Sequence, residues 1–199
     1  VGEDSKNVES NINELKTLHG LNDITFMNQT HSNTVLKVCK EHVHYDCDAV
    51  FTEDKTISCA VLTADCIPSL VTESSGKMIG CIHAGWRGLQ SKIIENFFSK
   101  FKSISKSNFR VLLGPCISAQ NYEVSDEIFC QFSNYSDRFR KNKSGNYYMD
   151  LRYIACDILN ELGITNVTIS KSCTYNDNFY SYRKDKTTGR FVSLIWFKK

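Results

Sequence analysis

The sequence predicts a single α/β domain of the α+β type that spans residues 1–199. The chain is long enough to bury a substantial core, and its composition is ordinary for a globular protein, with 41% hydrophobic and 23% charged residues. Short apolar runs typical of strands occur between segments of helical spacing, without internal repeats. The polar stretch at residues 141–146 is predicted to be a surface loop and not a domain boundary.

Helical spacing of apolar residues predicts four helices, with Gly20 and Gly163 as C-terminal caps and Asp150 as an N-terminal cap. The predicted helices contain residues 8–18, residues 89–101, the segment after Ser125, and residues 150–162. Short runs rich in β-branched and aromatic residues predict the strands. The predicted strands cover residues 24–27, 34–38, 49–52, 58–63, 67–72, 78–82, 109–113, 167–170 and 191–197.

The charge balance argues against nucleic acid and membrane surfaces as partners. The chain has 24 basic and 22 acidic residues, and its formal net charge is +2. No apolar run approaches the ~20 residues that a membrane span requires. No signal peptide is visible, although the chain begins at Val1 without a methionine.

The cysteine content predicts reduced thiols in the cytoplasm. The nine cysteines are odd in number and include no Cys-x-x-Cys pair. Cys59, Cys81 and Cys156 lie within apolar runs, where a thiol behaves as a small hydrophobic group. We therefore interpret these cysteines as buried side chains in a reducing compartment and not as a disulfide framework.

Three short motifs each supply one side chain that binds soft metal ions well. They are Gln29-Thr30-His31, Ala64-Asp65-Cys66, and His83-Ala84-Gly85-Trp86-Arg87-Gly88. Two imidazoles and one thiolate leave a fourth coordination position open for water or substrate, as in catalytic zinc sites. The motifs are predicted in a turn and at two strand ends, where a rigid sheet usually carries site residues. His31, Cys66 and His83 are therefore candidate zinc ligands.

The segment that follows His83 also suggests an anion site. Gly85 and Gly88 flank Trp86 and Arg87 at a predicted strand-to-helix junction that has no obvious packing purpose. A helix that begins there would present free backbone N–H groups to an anion, and Arg87 could add a bidentate contact. The alternative for Arg87 is a surface ion pair.

A second cluster of possible ligands lies at residues 42–48. His42 and His44 precede Asp46, Cys47 and Asp48, and in a strand the two histidines would share one face. The polar stretch at residues 40–46 is more typical of a hairpin tip. We therefore interpret these histidines as solvated side chains.

Several further motifs accompany the three ligand motifs in an order found in one protein family. They are Asp48-Ala49-Val50-Phe51-Thr52, Gly114-Pro115-Cys116-Ile117, Tyr122-Glu123-Val124, and the tail Phe179-Tyr180-Ser181-Tyr182-Arg183 with Gly189-Arg190. The chain resembles the YfiH-like family, long labelled multicopper polyphenol oxidase or laccase-domain proteins. Its members are also described as purine nucleoside phosphorylases with adenosine deaminase activity and as peptidoglycan editing factors. The resemblance covers nearly the whole chain.

The resemblance implies a compact fold of packed mixed sheets flanked by helices. It also implies metal ligands at His31, Cys66 and His83, the same three residues that the motifs indicate. Two departures stand out. The start of the chain resembles a family segment that normally follows an N-terminal strand, and that strand is absent from this sequence. Ser118 occupies a position where the family more often has glycine.

The implied activities are phosphorolysis of adenosine, inosine and possibly methylthioadenosine, and hydrolytic deamination of adenosine. Purine nucleosides and phosphate are the implied partners, and zinc is the implied cofactor, with copper able to bind in vitro. Asp65 is a candidate for proton transfer or for stabilising its own turn, and Arg87 is the first candidate for phosphate. The further candidate substrate contacts are Gln29, Tyr122, Arg183 and Arg190, and Tyr122 could equally be a core residue.

Other functions remain open at this stage. Cys66 could be a nucleophile with His83 as its base and His31 as a helper, which would suit an amidase that edits a peptidoglycan precursor. A protein-interaction module with a relict site is a non-catalytic alternative. The laccase label is disfavoured, because five histidines in the chain cannot supply both a trinuclear copper cluster and a type 1 centre. The oligomeric state stays open.

Overall fold

Short strands alternate with short helices in the structure, a computed structural model that describes residues 4–40 and 45–198. The α-helices are α1 (Ser5–His19), α2 (Trp86–Gln90), α3 (Ile93–Ser99), α4 (Asp126–Gln131), α5 (Leu151–Glu161) and α6 (Tyr182–Asp185). The strands are β1 (Asp23–Thr25), β2 (Val35–Lys37), β3 (Ala49–Thr52), β4 (Ile57–Thr63), β5 (Ile67–Glu73), β6 (Ile79–Ala84), β7 (Phe109–Leu113), β8 (Glu123–Val124), β9 (Phe139–Lys141), β10 (Tyr147–Met149), β11 (Val167–Ile169) and β12 (Phe191–Ile195).

A six-stranded mixed sheet forms the centre of the fold. Its order is β11-β7-β5-β6-β3-β2, with antiparallel pairs in the middle and a parallel pair at each edge. A second sheet, ordered β1-β4-β12, packs through β4 onto β6. A third, small sheet has the order β8-β10-β9. The predicted α/β fold of mixed sheets with flanking helices is therefore confirmed.

The middle strands of the central sheet are covered on both faces, which explains their continuous apolar runs. Every residue of β6 is buried. Ile79 and Cys81 contact the core shared with β4, whereas Ile82 and Ala84 contact the core on the helical side. Both faces of β6 therefore help to hold its C-terminal end in place.

Gly80 allows α3 to approach the central sheet closely. A Cβ at this position would lie 2.7 Å from the Val50 carbonyl oxygen and 2.8 Å from the Phe97 ring. Phe97 is fully buried and packs edge-on against Phe98, within a group of aromatic rings that includes Phe101. The Phe97 ring of α3 occupies the space that a side chain at position 80 would need.

Most predicted elements are confirmed, and the clearest difference is the helix predicted over residues 89–101. That segment forms two short helices, α2 and α3, because Lys92 between them adopts a left-handed backbone conformation with φ 69°. Gly20 ends α1 with φ 61°, and Asp150 accepts a hydrogen bond from the Tyr153 N–H at the start of α5, both as predicted. The last strand ends at Ile195, two residues earlier than predicted.

The cysteines are reduced, in agreement with the prediction. All nine are free thiols, and Cys59 and Cys81 are fully buried, whereas Cys156 is half-buried. Across residues 4–40 and 45–198, no helix combines the length and the apolarity needed to cross a bilayer.

Glu95 of α3 has a half-buried carboxylate whose charge should destabilise the fold at neutral pH. Its Oε2 atom is buried and has no hydrogen-bond partner among the described residues. Burial raises the pKa of the Glu95 carboxyl, and the nearby Glu161 adds to this effect. The folded state therefore binds this proton more tightly than the unfolded state, and the stability contributed by Glu95 falls as the pH rises through the ordinary glutamate range.

The Glu95→Gln variant should unfold at a higher temperature than the parent protein near pH ~7, where the parent must bury a charge. The difference should disappear near pH ~3.5, where Glu95 is protonated in both states. Thermal unfolding followed by circular dichroism at both pH values measures this. Glu14→Gln, which alters an exposed carboxylate of α1, is the matched control. An equal gain at both pH values would contradict the electrostatic explanation.

Candidate metal centre

Strand register brings two of the three candidate ligands to one edge of the central sheet. The β5–β6 ladder ends with Ile67 opposite Ala84, so Cys66 and His83 lie at the same end of this strand pair. Cys66 lies in the turn between β4 and β5, and His83 is the penultimate residue of β6. The predictions that these residues end strands are therefore correct to within a few residues.

The third ligand reaches the same edge from the long connection between β1 and β2. His31 has φ 61°, a left-handed conformation that is uncommon for a residue other than glycine. Its Nε2 atom lies 3.8 Å from the Cys66 Sγ atom, and its ring packs edge-on against His83 with centroids 4.7 Å apart. The ligand atoms of His31, Cys66 and His83 all lie within 4.8 Å of one another.

This donor set fits a zinc ion. Zinc takes imidazole nitrogen at ~2.0 Å and thiolate sulfur at ~2.3 Å, so ligand atoms in a tetrahedral site lie about 3.6 Å apart. The 3.8 Å separation of His31 Nε2 and Cys66 Sγ is close to that value. His83 is 4% exposed, whereas His31 is exposed, so the three side chains could hold a metal ion that is open to solvent on one side.

Asp48 accepts hydrogen bonds from two of the candidate ligands, His83 and His31. It directly precedes β3, and the β3–β6 register places it opposite His83. Its Oδ1 atom accepts hydrogen bonds from His83 Nδ1 at 2.8 Å and from the His31 N–H at 3.0 Å. Because Nδ1 is engaged, the Nε2 atom of His83 is left for a metal or for the Cys66 thiolate.

The second oxygen of Asp48 folds the segment that carries His31. Asp48 Oδ2 accepts hydrogen bonds from the Ser32 N–H at 2.6 Å, the Ser32 hydroxyl at 2.7 Å and the Thr30 N–H at 3.2 Å. A fully buried carboxylate would be costly without such donors. Burial raises the pKa of Asp48, but the hydrogen bonds from His83 and Ser32 outweigh it and lower that pKa to about 2.

Hydrogen bonds and neighbouring charges favour the charged forms of His83 and Cys66. Burial lowers the pKa of His83, but hydrogen bonds to Asp48 and Cys66 raise it to about 9. Burial raises the pKa of the Cys66 thiol, but hydrogen bonds from His31 and His83 lower it to about 6. A thiolate is therefore available at neutral pH, either as a metal ligand or as a nucleophile.

Gly85 is required by the close approach of the Cys66 side chain. A Cβ at position 85 would lie 2.8 Å from Cys66 Sγ and 3.2 Å from the His31 ring. The glycine therefore leaves room for the sulfur between the two imidazoles. Gly85, the first glycine of the His83–Gly88 motif, therefore has a steric role that the sequence alone did not indicate.

Asp65 holds the turn that presents Cys66. It has φ 95°, and its carboxylate accepts hydrogen bonds from the Thr174 hydroxyl and from the Arg183 N–H, both at 2.6 Å. Its backbone carbonyl also accepts a hydrogen bond from the Ile117 N–H at 3.0 Å. These contacts support turn stabilisation for Asp65, while proton transfer by this residue stays a prediction.

Three of the candidate substrate residues differ in burial and in the groups that they contact. The charges of Cys66, Arg183 and Arg87 act on the Tyr122 hydroxyl. Burial raises the pKa of this hydroxyl, and the two arginines oppose the effect without cancelling it. The Arg183 guanidinium lies 5.1 Å from the Tyr122 ring centre and donates to the Glu123 carbonyl. The Arg87 guanidinium is exposed and stacks on Trp86 at 4.4 Å. The Tyr122 hydroxyl is thus near enough to Cys66 and to both guanidinium groups for their charges to act on it, and we call Tyr122, Arg183 and Arg87 the rim.

Two other predicted residues have structural contacts. Gln29 exchanges hydrogen bonds with both the backbone N–H and the carbonyl of Leu62, so its amide fastens the His31 segment to β4. Arg190 donates to the carbonyls of Thr188 and Gly189 within its own turn. Both remain predictions as substrate contacts.

The residues of the second candidate cluster, at positions 42–48, do not act as one site among the described residues. His42 and His44 lie outside the described residues. Asp46 is exposed and accepts a hydrogen bond from the Asn28 side chain, whereas Asp48 is buried and accepts one from His83, a candidate metal ligand. The sequence interpretation missed this role of Asp48. The available signal was a carboxylate directly before an apolar run predicted to be a strand.

The short length of α2 changes the interpretation of the anion site. The prediction assumed that a long helix begins after His83, but α2 has five residues. Its N-terminal dipole is correspondingly small, so the Arg87 guanidinium is the main positive group available on this segment. Gly85, the N-terminal cap residue, has no side chain that could compete with a ligand for the free N–H groups.

The fold and the centre define a class of α/β protein in which a His–Cys–His group that could hold a metal ion lies at the edge of a mixed sheet. The chain belongs to the YfiH-like family, whose model, described as "Multi-copper polyphenol oxidoreductase laccase", matches residues 1–198. This confirms the resemblance inferred from the motifs.

Similar proteins carry names that refer to purine nucleosides. The chain is 33% identical to a purine nucleoside phosphorylase of Haemophilus influenzae, covering 100% of this chain and 84% of that protein. It is also 33% identical to purine nucleoside phosphorylase YfiH of Escherichia coli, covering 98% of this chain and 83% of the relative. The crystal structure of protein NMB0706 of Neisseria meningitidis has the same fold, with a TM-score of 0.92, 32% identity, and coverage of 100% and 84% of the two chains.

Replacing any one of His31, Cys66 and His83 with alanine should sharply lower the zinc content of the purified protein. Two remaining ligands hold the ion far more weakly than three. Inductively coupled plasma mass spectrometry of dialysed protein measures the metal-to-protein ratio. Cys130→Ala, which removes an exposed thiol outside the centre, is the control and should retain its metal. Full zinc retention in Cys66→Ala would refute this ligand set.

The Asp48→Asn variant should bind zinc about 10- to 100-fold more weakly, because the acceptor that orients His83 loses its charge. Competition with a chromophoric chelator measures this affinity. Asp46→Asn, two residues away and exposed, is the matched control and should bind zinc normally. Circular dichroism checks that both variants are folded. Unchanged zinc affinity in folded Asp48→Asn would contradict the orienting role.

Proposed function

We propose that this protein is a zinc-dependent purine nucleoside phosphorylase. The observation that carries the proposal is the convergence of His31, Cys66 and His83 beside a rim formed by Tyr122 and two guanidinium groups. A metal centre next to cationic side chains can bind a nucleoside and an anion together. The names of the relatives at 33% identity support the same substrate class.

In this proposal the two imidazoles and the thiolate hold the zinc ion, and Asp48 keeps the His83 Nδ1 proton directed away from it. A zinc ion held in this way supplies Lewis-acid polarisation and lowers the pKa of a bound water. The exposed edge of His31 leaves one side of the centre open to a ligand. Gly85 keeps the sulfur free of a steric clash while the substrate binds.

The rim residues would bind the two substrates of phosphorolysis. The half-buried Tyr122 ring would offer a flat surface for the purine or ribose, and the Arg183 guanidinium lies 5.1 Å from its centre. The exposed guanidinium of Arg87 can take phosphate in a bidentate contact. Phosphate held there would form a bond to the anomeric carbon of the ribose while the bond from that carbon to the purine nitrogen breaks. The purine nitrogen takes the electron pair and a proton given up by the hydrogen phosphate, so the products are free base and ribose 1-phosphate.

The proposed substrates are adenosine, inosine and methylthioadenosine, and the proposal includes hydrolytic deamination of adenosine. Deamination requires an activated water near C6 of the purine and a group that protonates the leaving ammonia. Asp65 is close to Cys66 in sequence, but its carboxylate already accepts two short hydrogen bonds. We therefore assign Asp65 to positioning first. We also propose a cytoplasmic location, which nine free thiols favour.

A second candidate function is a cysteine amidase. Asp48, His83 and Cys66 form a connected series in which a carboxylate binds one histidine nitrogen and the thiol contacts the same ring. This is the arrangement of a Cys–His–Asp nucleophile system. His31 favours a metal instead, since its Nε2 atom lies 3.8 Å from the sulfur and completes a set of three metal ligands, whereas the nucleophile mechanism requires only one imidazole and would use His31 as a helper. Rapid alkylation of Cys66 by iodoacetamide in metal-replete protein would favour the amidase.

Multicopper oxidation is the third possibility and the weakest. One His–Cys–His group is the only cluster of three such ligands among residues 4–40 and 45–198. His19, a further histidine, stacks on Trp196 away from this centre. A single copper ion could occupy the zinc position, because copper binds most nitrogen and sulfur ligand sets more tightly than zinc.

The proposed activity is tested by incubating zinc-loaded protein with adenosine and inosine, with and without phosphate. Phosphorolysis predicts free base and ribose 1-phosphate only when phosphate is present, whereas deamination predicts inosine from adenosine in either condition. Liquid chromatography with mass detection separates these products. Cys66→Ala, purified in the same way, is the control for contaminating enzymes. No nucleoside turnover by protein with full zinc content would refute the proposal.

The Arg87→Ala variant should keep its zinc and its fold but lose phosphate-dependent release of the base. Loss of a charge-assisted contact costs about 1.5–3 kcal/mol, or roughly ten- to a hundredfold in phosphate-dependent efficiency. Deamination should fall less, because it needs no anion at this position. Arg110→Ala, an exposed arginine on β7, is the matched control. Equal losses in both reactions would show that Arg87 holds the centre together structurally.

A further inference from the structure

Two cysteines outside the metal centre lie side by side in the fold. Cys116 and Cys173 are partners in an isolated parallel β-bridge, and the Thr174 N–H donates to the Cys116 carbonyl. Bridge partners have Cα atoms about 4.8 Å apart, which is within the range of roughly 4.4–6.8 Å found in disulfides. The backbone therefore already has the separation that a disulfide between these residues requires.

Hydrogen-bond donors surround the sulfur of Cys173. The Ser118 N–H donates to this sulfur at 3.3 Å and the Asn121 side-chain amide at 3.4 Å, while the thiol itself donates to the Ser118 hydroxyl oxygen at 3.1 Å. Burial raises the pKa of the Cys173 thiol, but hydrogen bonds from Ser118, Asn176 and Asn121 outweigh it and lower that pKa. These donors stabilise a thiolate.

Ser118 links the two cysteine segments. It follows Cys116 by two residues, has extended backbone angles with φ −78° and ψ 158°, and contacts the Cys173 sulfur through its side chain. The bridge and this contact together hold the segment of Cys116 against Cys173. Arg152 of α5 places its Nε atom 3.3 Å from the Cys116 sulfur and donates to the carbonyls of Cys116 and Ser172.

The two thiols differ in the way a reactive and a resolving cysteine differ. Cys173 is 7% exposed and is surrounded by donors, whereas Cys116 is fully buried. Burial raises the pKa of Cys116 to about 11, although the Arg152 guanidinium opposes this effect. A small oxidant would therefore reach Cys173 first, and Arg152 would assist Cys116 when its proton leaves.

We propose that Cys116 and Cys173 form a peroxide-sensitive thiol pair that closes to a reversible disulfide. The Cys173 thiolate attacks one peroxide oxygen, the O–O bond breaks, and water or an alcohol leaves with the former thiol proton, so Cys173 becomes a sulfenic acid. The Cys116 sulfur then attacks the Cys173 sulfur, the S–O bond breaks, and water leaves with the Cys116 proton. In total, two thiols are oxidised and one hydroperoxide is reduced.

The pair is joined to the metal centre through Asp65. The residue after Cys116, Ile117, donates its N–H to the Asp65 carbonyl, and the residue after Cys173, Thr174, donates its hydroxyl to the Asp65 carboxylate. A bond between the two sulfurs would therefore tie together both segments that hold the turn of Cys66. Oxidation of the pair would therefore restrain the turn that carries Cys66.

The chain contains a matched pair for comparison. Cys59 and Cys81 are both fully buried, and their thiols contact each other across β4 and β6. Burial and the contact with Cys59 raise the pKa of Cys81 well above its ordinary value, although a hydrogen bond from the Val50 backbone opposes this effect. This pair shares proximity with Cys116 and Cys173 but has a much weaker set of donors around its sulfurs.

The test exposes zinc-loaded protein to a small excess of hydrogen peroxide, blocks the remaining thiols with iodoacetamide, and maps the digest by mass spectrometry. The Cys116–Cys173 disulfide should form at least about tenfold faster than any Cys59–Cys81 disulfide, because each pKa unit changes the thiolate fraction about tenfold. Dithiothreitol should reverse it. In Cys116→Ser, Cys173 should instead accumulate as a dimedone-reactive sulfenic acid.

Two outcomes would overturn the proposal. The first is a Cys173 that stays reduced under conditions in which the exposed Cys130 is oxidised. The second is equal rates of disulfide formation in the two pairs, which would make proximity sufficient and the donors irrelevant. The variant Cys173→Ser, which should form neither product, shows whether the dimedone signal comes from this cysteine, and thermal unfolding confirms that each variant is folded.

Discussion

The buried carboxylate of Asp48 is the group on which the rest of the centre depends. One oxygen binds the His83 ring and the His31 backbone, and the other folds the Thr30–Ser32 turn. A carboxylate that is fully removed from water needs every one of these donors, and the donors in turn have no other orientation that satisfies it. The same group therefore selects the nitrogen that His83 offers and stabilises the left-handed conformation of His31.

The mixed sheets supply the rigidity that this arrangement requires. β3, β5 and β6 are buried on nearly every residue, and their register places Asp48, Cys66 and His83 at one edge. Close-packed strands deform little, so the distances between the donors are set before any ligand binds. Two groups from the C-terminal part of the chain, the Thr174 hydroxyl and the Arg183 N–H of α6, then hold the Cys66 turn through Asp65.

Periodicity located most helices and strands, and the apolar runs predicted that Cys59 and Cys81 are buried. The motifs singled out His31, Cys66 and His83, whose ligand atoms lie within 4.8 Å of one another. Single-residue conformations were not predictable in this way, since nothing local indicates that Lys92 is left-handed and divides one helix into two. Asp48 was missed because its partners are 16 to 35 residues away along the chain and meet it only through sheet register. The contacts of Gln29 and Asp65 with distant backbone groups are likewise tertiary, and short motifs carry no information about them.

Nitrogen-15 NMR of the histidine side chains in zinc-loaded protein tests most directly the claim that Asp48 fixes the centre. The account predicts that His83 carries its proton on Nδ1, where the Asp48 carboxylate accepts it, and that Nε2 has the chemical shift of a metal-bound nitrogen. Long-range proton–nitrogen correlations distinguish the two ring nitrogens. A His83 ring protonated on Nε2, with Nδ1 bound to the metal, would contradict the account.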